Sequence, residues 1–102
     1  MTMYLLTYHA HPNDKYIGDT VAGSFINCWI ETDSIKNADN IARKEITELN
    51  WDIIERTEAI EVDENYYDKD TPKVEYYEQA LIDKRVYVFY NYTADNKKRT
   101  RK

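Results

Sequence analysis

The sequence predicts an α+β domain: a four-stranded mixed or antiparallel sheet with two helices on one face, in the order β-β-α-β-α-β. Three observations carry that expectation. Four short segments are rich in β-branched and aromatic residues and are bounded by turn formers. Two other segments repeat apolar residues every three or four positions. The chain has 102 residues, 42% of them apolar, with only two Gly and two Pro. That suffices for one self-supporting core and is poor in the turn residues a β-sandwich needs. A single domain is expected over residues 1–94, followed by a basic tail at 95–102.

Residues 3–10 are aromatic and aliphatic and stop before Pro12, as a strand would. Residues 11–23 hold Pro12, Asn13, Asp14, Gly18, Asp19 and Gly23, a loop by composition and a long one for a hairpin. Residues 24–32 form the second strand, with Ile26, Cys28 and Ile30 on one face and Phe25, Asn27 and Trp29 on the other. Asp33 or Ser34 caps the first helix. Its stripe is Ile35, Ala38, Ala42, Ile46 and Leu49, with Ile41 beside it.

Asn50-Trp51 breaks the helix. The strand at 52–62 loses its alternation between Ile54 and Ala59, which a bulge explains. Residues 63–70 are an acidic loop. Thr71-Pro72 supplies a cap followed by Pro at the first helical position. Val74, Tyr77 and Leu81 form the second stripe, which ends at Asp83-Lys84. Residues 85–92 are apolar on both faces, which predicts an interior strand.

With both helices on one face, the other face is left open. Ile26, Cys28, Ile30, Val86, Val88 and Tyr90 would point at the helices. Phe25, Trp29, Tyr87 and Phe89 would point away, as an aromatic patch suited to a partner or a second copy. A one-residue shift in either strand inverts this assignment.

Net charge is −5, but the last six residues carry five positive charges. Residues 1–96 hold nine basic against 19 acidic residues, a body of −10. Such a body repels nucleic acid and attracts a basic protein. The tail, Lys97 to Lys102, is expected to be disordered and dispensable for folding. One cysteine, no signal-like N-terminus and no membrane-length apolar run predict a cytoplasmic protein without disulfides. Cys28 sits among apolar residues and reads as a small buried side chain.

Catalytic signatures are missing. His9-Ala10-His11 places two imidazoles on one side of a strand end, with Asp14 following. Two further zinc ligands are lacking, so no metal and no cofactor are expected. Neither glycine lies in a phosphate-binding loop, and Ser24 and Ser34 occupy no nucleophile elbow. No enzymatic activity is expected.

Two Tyr pairs flanked by acids are more distinctive: Glu64-Asn65-Tyr66-Tyr67-Asp68 and Glu75-Tyr76-Tyr77-Glu78. Tyrosine faces and carboxylates together suit Lys and Arg. Asp63, Glu64, Tyr66, Tyr67, Asp68 and Tyr76 are therefore the expected partner contacts, and substitutions at Asp63, Glu64, Tyr66, Tyr67 and Asp68 should little affect folding, because the 63–70 loop is polar and outside both apolar stripes. Cys28-Trp29-Ile30, the Ala-spaced helix, Trp51, and Glu75 to Asp83 ahead of Val86-Tyr87-Val88-Phe89 resemble small bacterial α/β proteins of uncharacterised function. Acidic, Tyr-rich chains of this size also look like toxin-immunity proteins and phage-encoded inhibitors. That resemblance implies a stoichiometric binder of a basic protein. The other readings are a small homodimer joined through the aromatic face, and a nucleic-acid binder using that face and the tail.

Overall fold

The computed structural model of this chain describes residues 1–13, 21–67 and 73–93. Its elements are β1 (Thr2–Pro12), β2 (Val21–Thr32), α1 (Ile35–Glu48), β3 (Trp51–Val62), α2 (Lys73–Asp83) and β4 (Arg85–Thr93). The order is the one the sequence predicts. All four strands pair antiparallel in a single sheet, β3-β1-β2-β4. Pro12 and Val21 to Gly23 belong to strands, so the first loop is shorter than 11–23. Residues 14–20, Asp68, the Thr71-Pro72 helix start and the 95–102 tail lie outside the described residues. Among the described residues no helix is long and apolar enough to cross a membrane.

The two helices cover opposite faces of the sheet, not one. Tyr4, Leu6, Tyr8, Ala10, Ile26, Cys28 and Ile30 cluster with Ala38, Ala42 and Ile46 of α1. The alternate residues Met3, Leu5, Trp29 and Val62 cluster with Tyr77 and Ala80 of α2. Successive strand residues point to opposite sides, so two interleaved sets of buried residues require cover on both faces. Both sets come mainly from β1 and β2, the interior strands.

This arrangement also corrects the place of β4, which is an edge strand paired with β2 alone. Its two-sided apolarity arises because each face has its own helix: Tyr87 and Phe89 pack on the α1 side, Val86 and Val88 on the α2 side. The register pairs Cys28 with Tyr87, Ile26 with Phe89, Trp29 with Val86 and Phe25 with Tyr90. The expected facing of β4 is therefore inverted. Phe25 and Trp29 lie on one face, Tyr87 and Phe89 on the other, and the four aromatics form no common patch.

Local chemistry explains the boundaries. Ser34 caps α1 by accepting a hydrogen bond from the Asn37 amide at 3.1 Å. Ala38 and Ala42 let the helix lie close on the sheet. Asn50 follows with φ of 72°, a left-handed conformation Asn tolerates well. Lys84 ends α2 in the same way, with φ of 75°. Its carbonyl accepts from the Glu31 amide at 2.8 Å and its ammonium pairs with the Glu31 carboxylate at 2.9 Å. The expected slip in β3 is real: register shifts leave Thr57 and Ile54 as extra residues opposite β1.

Both flanks of α1 are tied to the sheet by a Tyr–carboxylate–Arg group. Tyr8 donates to Asp39 at 2.6 Å, and Arg43 and Arg56 pair with the same carboxylate at 3.0 and 3.4 Å. Tyr87 donates to Glu45, which Arg85 approaches at 3.3 Å. Burial, and then the hydrogen bond to a carboxylate, push both tyrosine hydroxyls far above their usual range. At Asp39 burial opposes ionisation. The bonds from Tyr8 and Arg43 and the charges of Arg43 and Arg56 outweigh it and hold the carboxyl below its ordinary range.

Candidate functional site

The turn after β3 and the outer flank of α2 enclose an acidic groove. Asp63 shapes the turn: its Oδ1 accepts from the Asn65 amide at 2.9 Å and its carbonyl from the Tyr66 amide at 3.0 Å. Val74, Glu78 and Leu81 lie along one side of α2, at helical spacings of four and three. Between them lies an open groove of about 700 Å³, bounded by Glu64 and Asn65 on the turn and by Glu75 and Glu78 on the helix. Val74, Tyr77 and Leu81 form its apolar part. No basic side chain lines it among the described residues.

The field in this corner is negative. Burial raises the Tyr77 hydroxyl above its ordinary range, and the charges of Glu64, Asp63 and Glu31 raise it further. A smaller recess of about 360 Å³ adjoins the same turn, lined by Glu61, Val62, Asp63, Asn65 and Tyr66. Tyr66 stands at its rim, 52% exposed.

The six expected contacts thus divide. Asp63, Glu64 and Tyr66 are at the groove or its adjoining recess. Asp68 lies outside the described residues. Tyr67 is half-buried: its hydroxyl accepts from Trp29 Nε1 at 2.8 Å and its ring packs against Tyr77 at 6.3 Å. Burial pushes that hydroxyl up, opposed by the bond from Trp29. Tyr76 rests on Trp29, with ring centroids 5.3 Å apart, on the sheet side of α2 and away from the groove. Both side chains cover the buried indole.

The expectation that substitutions in the loop little affect folding therefore fails at Tyr67. Tyr67→Phe should cost about 1–3 kcal/mol, since it strands the buried indole N–H. Tyr66→Ala should stay within about 0.5 kcal/mol, as exposed substitutions do. Urea unfolding of the two variants measures the difference.

Glu75, Glu78, Val74 and Leu81 were not expected as site residues. Val74 and Leu81 look like core at helical spacing. Their spacing with Glu78 is the signal that places all three on one side of α2, and only the Asp63–Tyr66 turn shows that this side is not buried.

The second region is the part of the α2-side face that α2 leaves open. His9 stacks on Phe25, with centroids 4.4 Å apart and planes 12° from parallel. His9 Nε2 and the Tyr92 hydroxyl share a hydrogen bond at 2.7 Å. The Tyr92 ring occupies the space where a side chain at Gly23 would stand. Thr7 donates to Asn27 at 2.8 Å. Phe25 and Tyr90 are 43% and 45% exposed. On this face β3 contributes Glu58 opposite Thr7 and Glu55 opposite His9, and these carboxylates oppose phosphate.

The histidines are committed locally: His9 to Phe25 and Tyr92, His11 Nδ1 to the Pro12 carbonyl at 3.2 Å. Among the described residues no three His, Cys, Asp or Glu side chains converge on a common point. Cys28 is fully buried. Burial, with the nearby Glu45 charge, pushes its thiol well above the usual range, away from the thiolate a nucleophile needs. No protein-family model, curated protein or solved structure matches this chain.

Proposed function

We propose that this chain is a non-enzymatic binding module, of the inhibitor or immunity kind, that grips a basic partner protein in the groove between the Asp63–Tyr66 turn and α2. The observation that carries the reading is the groove's composition among the described residues: three glutamates, no base and an apolar floor. Lys and Arg have a charged head on an apolar stem, and such a groove suits both parts at once. Glu64, Glu75 and Glu78 would meet the heads by charge-assisted hydrogen bonds, while Val74 and Leu81 would cover the stems. Tyr66, exposed at the adjoining recess, offers a ring face for cation–π contact.

The −10 body speeds the encounter with a basic protein and disfavours nucleic acid. Affinity capture from the source organism with the full chain and with a Glu64→Gln/Glu75→Gln/Glu78→Gln variant tests the idea. The native chain should retain a basic protein that the variant and high salt both release. An acidic partner, or one the variant holds equally well, would overturn it.

A further inference from the structure

We infer that two copies of this chain associate through the outer edge of β4, joining their sheets into one of eight strands. The two edges of the sheet are built differently. β3 is interrupted at Thr57 and Ile54 and carries Asp52, Glu55, Arg56, Glu58 and Glu61. Irregularity and charge are the usual defences of an exposed edge. β4 has neither. From Val86 to Thr93 it reads Val-Tyr-Val-Phe-Tyr-Asn-Tyr-Thr, with no charge, no Pro and no Gly, and among the described residues its outer side has no strand partner. Long, uncharged, strand-favouring edges template pairing with another strand.

The chemistry of the edge selects a second copy as the occupant. A basic partner strand would be drawn to free carboxylates; beside β4, Glu45 is already held by Tyr87 and Arg85 and Glu31 by Lys84, while the carboxylate row of β3 lies three strand spacings or about 14 Å away. That distance exceeds the screening length of about 8 Å at physiological salt, so the acidic edges do not repel at a β4–β4 seam. The one charge on β4, Arg85, is already paired with Glu45 at 3.3 Å.

A twofold axis through Phe89 pairs the strands antiparallel. Val88 then faces Tyr90 of the other copy and Val86 faces Tyr92, the aromatic with β-branched pairs that favour sheet formation. Arg85 faces Thr93, so the two arginines stand about 27 Å apart at opposite ends of the seam. Pairing also completes the cover of side chains that one copy leaves half-buried on both faces of β4. The assembly closes at two copies, because the edges left outside are both β3.

Light scattering of the full chain over a roughly hundredfold concentration range, read with amide exchange, tests this. A dimer is expected, with consecutive amides across 86–92 all protected instead of alternately so. Tyr90→Lys and Asn91→Lys, both at exposed positions, should each raise the dimer dissociation constant about 30-fold or more, since each change acts twice at a twofold seam. Both should restore alternating exchange while the circular dichroism stays native. A monomer throughout the range would overturn the proposal. So would a dimer that keeps alternating exchange in β4, or one that both lysine variants leave intact.

Discussion

Truncating Trp29 to alanine is expected to cost about 3–5 kcal/mol, the range for an aromatic removed from a filled core. Trp29 is fully buried. Met3, Leu5, Val62, Tyr77 and Ala80 surround it, Tyr76 lies on its ring, and Tyr67 accepts from its nitrogen. It therefore holds α2 and the 63–67 turn to the sheet together. The variant should lose amide protection first in α2, while α1 and the β1–β2 pair remain protected. Trp29→Phe should recover part of the loss, because a ring still fills the space. Chemical denaturation with residue-resolved exchange reads both effects. A cost below about 1 kcal/mol would mean that the indole is not under α2.

The second large effect concerns α1. Asp39→Ala removes the acceptor of a fully buried tyrosine and the partner of two arginines, and should cost about 2–3 kcal/mol. Asp39→Asn should cost less, since it still accepts from Tyr8. The pH dependence follows from the direction of each shift. Asp39 ionises more readily folded than unfolded. Its contribution is present above the unfolded aspartate value of about 3.9 and is lost as pH falls through the lower folded value. Tyr8 and Tyr87 are shifted upward. Their contributions are present below the unfolded tyrosine value of about 10 and are lost as pH rises above it. The stability profile should thus fall at both ends. Asp39→Asn should flatten the acid limb, and Tyr8→Phe with Tyr87→Phe the alkaline one.

Much of this fold is legible in the residues because it rests on periodicity. Ala38, Ala42 and Ile46 recur at helical spacing and are buried. Ile26, Cys28 and Ile30 alternate and share a face. The lost alternation between Ile54 and Ala59 marks a true irregularity. The side of the sheet each helix takes is different in kind. It depends on packing between distant segments, and an apolar segment such as Val86 to Phe89 reads alike in the interior of a one-sided sheet and at the edge of a two-sided one.

The acidic Tyr motif located the turn but not its division of labour. Tyr66 and Tyr67 are adjacent and chemically identical, and only the indole beneath separates a surface ring from a core one. Tyr76 and Tyr77 pose the same problem on α2, and there the stripe correctly identified Tyr77 as the core residue. The groove's helix side stayed hidden because Val74 and Leu81 have the spacing of core residues.

The groove reading is tested most directly by mapping where a cation binds. Titration of the ¹⁵N-labelled full chain with a blocked hexa-arginine peptide, followed by amide shifts, compares the native chain with Glu64→Gln/Glu75→Gln/Glu78→Gln. Shifts should centre on residues 63–66 and 74–81, weaken with salt, and shrink about tenfold or more in apparent affinity in the variant. Shifts centred instead on Asp52, Glu55 and Glu58 of β3, or on Phe25 and Tyr90 of the open face, or unchanged in the variant, would contradict it.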